Sequence, residues 1–304
     1  MKEVKVRHSK LENTTFRKVS LIVMILVAIT CLLPFVLMIS ASITSEKELI
    51  NEGYKFWPKT VSFETYKYLW AKRETIGRAY LMSILVTLVG TLTNLVITSL
   101  FAYPLYRKDF KPRNVVAFIL FFTMLFSGGL TASYIIWTEM FHIKDTVWAL
   151  ILPNLLMGAM NVLLVRNYYS SSIPESIIEA ARIDGASELR IYARIMIPLS
   201  KPVLITIALF AGMAYWNDWM NGTYYIKNPM LNTITVYLNN VMNNISFLKQ
   251  KNSITEGLNI GEMDLPSVGV RMAIAFTAII PVIVVFPFIQ SKLIEGVIVG
   301  GVKG

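Results

Sequence analysis

The chain has few of the residues that build metal centres, disulfide scaffolds or nucleotide sites. Cys31 is the single cysteine among 304 residues, so there is no second thiol with which to close a disulfide. His8 and His142 lie far apart, and no Cys/His cluster has the spacing of a metal site. No G-x-x-x-x-G-K-[ST] phosphate-binding loop occurs in the sequence. We therefore expect no metal, no cofactor bound by this chain and no enzymatic activity of its own.

Charged residues are also scarce. Asp, Glu, Lys and Arg make up 16% of the chain and hydrophobic residues 55%, and the mean hydropathy is +0.55. Soluble domains have about 25% charged and about 45–50% apolar residues, so both departures point to a membrane protein. In a soluble protein, the formal net charge of +10 would suggest nucleic acid as a partner. Here the basic residues lie beside apolar runs, and we expect no nucleic-acid binding.

The chain is instead rich in long apolar runs. A helix needs about 20 mainly apolar residues to cross a bilayer, and six segments qualify. They lie at residues 19–41, 80–104, 115–137, 147–168, 202–220 and 270–290. The third, fourth and sixth are interrupted by glycine, proline or amide residues. The pattern predicts an all-α, polytopic integral membrane protein with six transmembrane helices.

The distribution of lysine and arginine predicts the orientation of these helices. Basic residues concentrate in the N-terminal tail, in the connection after the second span, and between the fourth and fifth spans. These residues are Lys2, Lys5, Arg7, Lys10, Arg17 and Lys18; Arg107, Lys108, Lys111 and Arg113; and Arg166, Arg182, Arg190, Arg194 and Lys201. All three groups fall on one side if the chain crosses six times, and the positive-inside rule makes that side the cytoplasm. Both termini are then cytoplasmic, and loops 42–78 and 221–269 lie outside.

A cleaved signal peptide is the alternative interpretation of the first span. The sequence Ser40-Ala41-Ser42 weakly resembles a cleavage site. The apolar run of about 23 residues is, however, longer than the roughly 7–15 residues of a secretory signal. We therefore expect the first span to be kept.

A charged segment separates the fourth and fifth apolar runs. Pro174 and Glu175 suit the first turn of a helix, because proline loses no hydrogen bond there and a carboxylate meets the positive end of the helix dipole. Gly185 can adopt the left-handed conformation that ends such a helix. Ser187 can cap a second helix, whose end is marked by Pro198. The apolar stripe predicted for the second helix consists of Leu189, Tyr192, Ile195 and Met196.

This pattern predicts a short amphipathic helix, a turn and a second helix at the cytoplasmic surface. The charges can meet a soluble protein, while the apolar face packs on the membrane helices. An interfacial helix lying on lipid is the alternative. Such helices favour lysine-rich polar faces with bulky apolar anchors, whereas acidic residues and small alanines favour docking against protein.

The same segment resembles the EAA loop of ABC-importer membrane subunits. The pattern of that family is E-A-A-x-x-D-G-A, a spaced aromatic residue that is usually phenylalanine, and a Pro-Leu ending. The matching residues are Glu179, Ala180, Ala181, Asp184, Gly185, Ala186, Tyr192, Ile197, Pro198, Leu199 and Pro202, with Tyr192 in place of the phenylalanine. Residues 127–130, 148–153 and 216–217 resemble the maltose-type oligosaccharide branch, and the C-terminal Gly-Val-Lys-Gly resembles its Gram-positive complex-sugar members.

The resemblance covers roughly residues 75–304 and implies a domain organisation. Residues 75–290 would form an ABC transmembrane permease domain, with the EAA loop at 175–202 between helices 4 and 5. Residues 1–74 would hold a cytoplasmic tail, the first transmembrane helix and the first extracellular loop. Residues 291–304 would form a cytoplasmic C-terminal tail.

The resemblance also implies a mechanism in the bacterial cytoplasmic membrane. The helix at 175–184 would be the coupling helix, seated in a cleft of a cytosolic ATPase, with Glu179 paired to a basic residue of that partner. The assembly would contain a second homologous permease subunit, two ATPase subunits that bind ATP and Mg²⁺, and an extracellular solute-binding lipoprotein. Closure of the ATPases would rock the membrane helices between inward-open and outward-open states. The implied solute is a sugar, in the form of an oligosaccharide.

Polar residues inside the spans are candidates for the substrate pathway, because polar groups are costly in a bilayer. A hydroxyl-rich solute needs amides for hydrogen bonds and aromatic faces against its C–H surface. The candidates are Asn94, Asn154, Asn161, Tyr215, Trp216 and Asn217. Alternatively, the amides join helices to one another and the aromatic residues anchor at the interface.

Two other functions stay open. No span carries a lysine, arginine or carboxylate near its centre, which argues against a proton-coupled carrier or a channel with charged rings. An ABC importer for a peptide, polyamine or phosphate is one alternative, although neutral span interiors mildly favour sugars. A secondary transporter that needs no ATPase is the other.

Overall fold

The computed structural model describes the backbone of residues 10–252 and 268–301 and the side chains of residues 16–243, 268–285 and 287. Within these residues the chain is helical, and the one β contact is an isolated bridge between Thr44 and Val61. The all-α prediction is confirmed for this part of the chain. Lys2, Lys5, Arg7, His8 and residues 302–304 of the C-terminal Gly-Val-Lys-Gly lie outside the described residues.

The helices have the following bounds. They are α1 (Lys10–Ser42), α2 (Glu46–Asn51), α3 (Glu64–Ala71), α4 (Arg73–Tyr106), α5 (Arg113–Leu125), α6 (Gly129–Ile135), α7 (Trp148–Ile151), α8 (Ala159–Ser172), α9 (Glu175–Ile183), α10 (Glu188–Ile191), α11 (Ile197–Leu199), α12 (Lys201–Asn217), α13 (Met220–Tyr225), α14 (Ile234–Asn252) and α15 (Val268–Gly301). A π-helical turn at Ile136–Met140 extends α6, and another at Tyr192–Met196 joins α10 to α11.

The chain divides into two compact units. Of the described residues, 10–71 and 268–277 belong to the first unit, and 72–252 and 278–301 belong to the second. In the first unit, the Glu48 carboxylate accepts hydrogen bonds from the backbone N–H groups of Lys59 and Thr60, at 3.0 and 2.9 Å. The Ser42 and Tyr66 hydroxyls are 2.8 Å apart. These bonds fold the segment after α1 into an ordered loop.

Three helices of the described part are long and apolar enough to cross a membrane: Phe16–Ser42, Arg73–Tyr106 and Val268–Val285. Two further pairs qualify if each bent pair counts as one span. They are Arg113–Leu125 with Gly129–Met140, bent by 115°, and Glu188–Leu199 with Lys201–Asn217, bent by 79°. Length and composition therefore support three to five of the six predicted spans. The segment predicted as the fourth span, 147–168, is not one helix, because residues 152–158 separate α7 from α8.

A glycine explains part of this bending. Gly129 has φ +79°, in the left-handed region, and its N–H donates to the Ser127 hydroxyl at the junction of α5 and α6. The sixth apolar segment differs from the expectation, since α15 runs through Pro281 and Pro287 without ending.

The second unit is built around α4, which packs along α12 and α8. α4 approaches α12 closely at Gly90, because a Cβ there would lie 2.6 Å from Cε1 of Tyr215. Small residues at such contacts are typical of membrane helix packing. Residues 173–200, which connect α8 to α12, therefore lie against the C-terminal end of α4.

Candidate functional site

Residues 174–199 fold as two helices around a tight turn. Pro174 precedes α9 with extended backbone angles (φ −62°, ψ 130°), and Glu175 lies in the first turn. Ile178 is 3% exposed and packs in a core with Tyr169 and Ile191. One side of α9 is thus anchored in the second unit, while Glu179 and Ala180 on the other side are exposed.

The turn after α9 has the geometry that the sequence predicts. Gly185 has φ +74°, and its N–H donates to the Arg182 carbonyl at 2.9 Å. The Ala186 N–H donates to the Ala181 carbonyl at 3.0 Å. These two bonds form a Schellman motif, in which a residue with positive φ satisfies the last carbonyls of a helix. Ala181 and Ala186 are half-buried against the core, and Asp184 is exposed.

The second helix departs from its predicted stripe. Leu189 was expected to pack inward, but its side chain is 72% exposed, whereas Ile191 is fully buried. Met196 is buried as expected, and Tyr192 and Ile195 are half-buried. The π-helical turn at Tyr192–Met196 adds residues to the turn and shifts the register of the buried side chains, which a 3.6-residue period cannot anticipate.

Ser187 and Pro198 mark the two ends of this second helix. Ser187 stands at the N-cap position as predicted, but its side chain forms no capping hydrogen bond within the described residues. Pro198 is exposed in α11, immediately before the 79° bend into α12.

Tyr192, at the aromatic position of the motif, joins the second helix to α4. Its hydroxyl lies 2.7 Å from the Ser99 hydroxyl, and Ser99 is buried on α4. Its ring centre is 5.5 Å from that of Tyr103. The hydroxyl that distinguishes tyrosine from the usual phenylalanine therefore has a partner.

Four charged residues form an ion cluster at the same end of α4: Arg107, Asp109, Arg182 and Glu188. Arg107 donates from Nε to Asp109 Oδ1 at 2.9 Å and from Nη1 to Glu188 Oε2 at 3.3 Å. Arg182 donates from Nη2 to Asp109 Oδ2 at 3.3 Å and to Glu188 Oε1 at 3.0 Å. The Tyr103 hydroxyl donates to Glu188 Oε2 at 2.6 Å. The cluster thus ties the connection after α4 to both helices beside the turn.

A second ion pair holds the start of α9. Lys108 Nζ donates to Glu175 Oε2, and both side chains are largely exposed. This hydrogen bond raises the pKa of the Lys108 ammonium. In the ion cluster, the hydrogen bond from Arg107 lowers the pKa of the Asp109 carboxyl. Residues 107–109 therefore bind α9 at its first turn and at its last.

Three side chains of residues 174–199 stay available for contact with another molecule. The Glu179 carboxylate forms no hydrogen bond or ion pair with any residue that the structure describes. Ile183 is 87% exposed, although it is a large apolar side chain. Together with Leu189 it gives the charged segment two apolar side chains that face away from the core.

The helix break, residues 152–158, is held by side chains from three other helices. The Ile151 carbonyl accepts from the Tyr215 hydroxyl at 3.0 Å, the Pro153 carbonyl from Asn221 Nδ2 at 2.9 Å, and the Leu155 carbonyl from Asn94 Nδ2 at 2.7 Å. Backbone groups freed inside a membrane need such partners, because unsatisfied carbonyls cost several kcal/mol there. Asn94 and Tyr215, predicted to line the substrate pathway, therefore stabilise the break.

Among the other pathway candidates, one joins two helices and three stay at least partly accessible. The Trp216 indole donates from Nε1 to the Ala278 carbonyl at 3.2 Å and is 9% exposed, so it joins α12 to α15. Asn154 is exposed within the break with φ +61°, and Asn161 is half-buried beside Gly158. Asn217 is exposed at the end of α12, where its Nδ2 donates to the Met213 carbonyl at 3.0 Å.

Sequence reasoning missed Arg107, Asp109, Ser99 and Asn221 as members of these contacts. Arg107 was counted only as a basic residue near the membrane, and Asn221 lies just beyond the fifth predicted span. Their partners are far away in the chain, since 81 residues separate Arg107 from Glu188. The one local signal was a concentration of opposite charges, with Asp109 beside Arg107.

Comparisons with known proteins bear on the whole chain. A model of the family described as "Binding-protein-dependent transport system inner membrane component" matches residues 79–298. The polygalacturonan/rhamnogalacturonan transport system permease protein YtcP of Bacillus subtilis is 33% identical over 92% of this chain and 96% of its own length. Protein LplC of the same organism is 32% identical over the full length of both chains. The melibiose/raffinose/stachyose import permease protein MelC of that organism is 26% identical over 92% of this chain and 94% of its own length.

A solved structure agrees with these sequence matches. A chain in the crystal structure of a bacterial ABC transporter involved in the import of the acidic polysaccharide alginate superimposes with a TM-score of 0.75 and 26% identity. The superposition covers 95% of this chain and 99% of that one. The chain therefore belongs to the family of inner-membrane components of binding-protein-dependent transport systems.

Proposed function

We propose that this chain is the permease subunit of an ABC importer that carries a carbohydrate, in the form of an oligosaccharide, across the bacterial cytoplasmic membrane. Its partners are a second homologous permease subunit, two cytosolic ATPase subunits and an extracellular solute-binding lipoprotein. ATP and Mg²⁺ are bound by the ATPases. The family membership and the sugar-named relatives support this proposal.

The observation that carries the proposal is the docking face, which we define as Glu179, Ile183, Asp184 and Leu189. Two large apolar side chains, 87% and 72% exposed, stand beside two carboxylates on a segment held by ion pairs. Apolar side chains beside charged ones suit a protein partner, because protein interfaces combine an apolar centre with a polar rim. In this proposal α9 is the coupling helix, and the unpaired Glu179 meets a basic residue of the ATPase.

Transport follows as alternating access around a site in the membrane. Both termini are cytoplasmic, and the chain crosses six times, with the bent pair of α5 and α6 as the third span and α12 as the fifth. The fourth crossing consists of α7, the helix break and α8. When α9 moves together with the ATPase, the ion cluster and the Tyr192–Ser99 contact transmit the movement to α4.

The solute pathway is assigned to the amides that the structure leaves accessible. Asn154, Asn161 and Asn217 offer donors and acceptors to sugar hydroxyls without breaking a helix contact of the kind that Asn94 makes. The relatives YtcP and MelC are named for transport of polymeric and oligomeric sugars. This combination favours a sugar over a peptide, polyamine or phosphate.

The test is purification of the assembled complex and uptake of a labelled oligosaccharide into proteoliposomes. The wild-type chain is expected to co-purify with an ATPase and to need ATP for uptake. Ile183→Asp is expected to lose both the ATPase and the uptake, whereas Ser176→Asp adds the same charge to an exposed position of α9 outside the docking face. Uptake without ATP would favour a secondary transporter, and uptake of peptides alone would exclude a sugar. An Ile183→Asp chain that retains its ATPase would refute the docking face.

A further inference from the structure

An open cavity of about 470 Å³ lies between the end of α4, the start of α5 and the junction of α8 with α9. Three cationic side chains line it: Lys108, Arg113 and Arg166. The hydroxyl-bearing residues 170–172 also line it, as does Glu175. Among the described residues, three positive charges thus face one negative charge, and the lining carries a net charge of +2.

The single carboxylate does not neutralise the two arginines. Glu175 forms its ion pair with Lys108. Arg113 is half-buried, and its side chain forms no hydrogen bond or ion pair with any part of the chain that the structure describes. Arg166 donates from Nε to the Leu105 carbonyl at 3.2 Å and has no ion pair within the same residues. The Glu175 hydrogen bond raises the pKa of Lys108, while the positive charge of Arg113 opposes that rise.

We propose that this cavity is a phosphate-binding site, and its position favours the phosphodiester of an anionic lipid over free phosphate. Guanidinium groups bind phosphate oxygens in bidentate fashion, and serine hydroxyls can add donors. The cavity lies where two apolar helices, α4 and α5, end and begin, which is the depth of lipid headgroups. Basic pockets between transmembrane helices on the cytoplasmic side suit anionic headgroups. The cytoplasmic placement rests on the proposed function.

Occupation of the cavity would act on α9. Pro174 and Glu175, which begin that helix, line the cavity together with the arginines. A phosphate bound there would cross-link the end of α8, the start of α5 and the start of α9. The inner-leaflet lipid composition would then set how firmly the coupling helix is held.

Native mass spectrometry of the detergent-solubilised full chain, within its complex or alone, tests the site directly. The probes are phosphatidylglycerol, phosphatidylcholine and inorganic phosphate. Arg113→Gln/Arg166→Gln is expected to weaken phosphatidylglycerol binding at least tenfold, about 1.4 kcal/mol. Lys111→Gln/Arg190→Gln removes the same charge from exposed positions outside the cavity and is expected to bind like the wild type. Arg113→Lys/Arg166→Lys keeps the charge without the bidentate geometry and is expected to bind with intermediate affinity.

The outcomes distinguish a bound lipid headgroup from phosphate taken up from solution. Loss of phosphatidylglycerol binding in the Gln variant supports a lipid site. Loss of inorganic phosphate binding in that variant, with no preference between lipids, supports a phosphate site filled from solution. Equal binding of both lipids, together with phosphate binding that the Gln and Lys variants leave unchanged, overturns the proposal. Native mass spectrometry measures binding to the chain and not transport. These results can therefore be interpreted even if the transport proposal fails.

Discussion

The guanidinium of Arg107 and the carboxylate of Glu188 lie 3.3 Å apart, although 81 residues separate them in the chain. Their environments differ, since the Arg107 side chain is 9% exposed and that of Glu188 is 55% exposed. They also differ in their partners, because Arg107 donates to both Asp109 and Glu188, so that loss of Glu188 would leave the buried arginine paired with Asp109. Mutations of the two partners are therefore expected to have unequal effects.

Arg107→Met is expected to reduce uptake roughly tenfold, about 1.4 kcal/mol, and to lower the unfolding temperature. The reason is that Asp109 and Glu188 are then left with Arg182 as their shared cation in the ion cluster. Glu188→Gln is expected to cost about 0.2–1 kcal/mol, as measured for exposed ion pairs. Labelled-sugar uptake and thermal unfolding in detergent measure both. Arg190→Gln, an exposed neighbour outside the cluster, is the control, and equal effects of the first two variants would contradict the ranking.

Gly185→Val is expected to abolish coupling, because valine is strained at φ +74°. A Cβ at this position meets nothing within 4 Å, so the effect comes from the backbone alone. Gly185→Asn should retain most uptake, since asparagine tolerates the left-handed region. Gly77→Ala, also in open space but without a positive φ, should leave uptake unchanged. Comparable uptake by the Val and Asn variants would show that the Schellman turn is not needed.

Gly90→Ala is expected to destabilise the second unit, because the added Cβ would lie 2.6 Å from the Tyr215 ring. Movement of that ring would break its hydrogen bond to the Ile151 carbonyl at the helix break. Overpacking of this kind costs about 1–3 kcal/mol. Gly212→Ala, whose Cβ would meet only the Thr91 hydroxyl at 3.4 Å, is the matched control in the facing helix. Thermal unfolding compares the two variants, and equal melting temperatures would argue against the close contact.

Stability is expected to depend on pH through Asp109. Arg107 holds the pKa of this carboxyl below its ordinary value of 3.8, so the unfolded chain binds its proton more readily. The contribution is therefore fully present above pH 3.8 and is lost as the pH falls through the lowered pKa. Asp109→Asn should lower the unfolding temperature at pH 6 but converge with the wild type under strongly acidic conditions. A difference that persists unchanged into acid would argue against this ion pair.

The accessible and buried amides should differ in what their replacement changes. Asn94→Ala and Asn221→Ala remove donors to the helix break and are expected to lower the unfolding temperature, since a buried unsatisfied carbonyl costs about 1–3 kcal/mol. Asn154→Ala and Asn217→Ala are expected to raise the KM for the oligosaccharide with little loss of stability. Uptake kinetics beside thermal unfolding separate the two classes. An unchanged KM in both accessible variants would remove them from the pathway.

Local chemistry made much of this protein predictable. Apolar runs indicated helices, and Gly185 indicated the turn, because backbone sterics act over a few residues. The period-based stripe was wrong at Leu189, since a π-helical turn changes the register that such a pattern assumes. Asn94 and Tyr215 were candidates for either solute contact or helix joining, because polarity inside a span does not reveal its partner. That partner, the carbonyl row of the helix break, exists only once α4, α8 and α12 are assembled.

Long-range pairing was the main feature beyond the reach of the sequence. Arg182 and Glu188 carry charges that suit a soluble partner, yet the structure uses both within the ion cluster. Nothing near them in the chain distinguishes a charge that is used internally from one that stays available. Glu179 lines a cavity with residues 107–109 on the same face of α9 as Glu175 and Arg182, yet its carboxylate forms no ion pair within the described residues.

The contacts of residues 107–109 also have a consequence for exchanging parts between relatives. Another permease that receives only residues 174–199 of this chain would gain Arg182 and Glu188 without the Arg107 and Asp109 to which they are matched. Such a graft would fail at its scaffold even if its ATPase-facing surface were perfectly suited. The smallest transplantable module is therefore discontinuous, and it includes a tripeptide that lies more than sixty residues earlier in the chain.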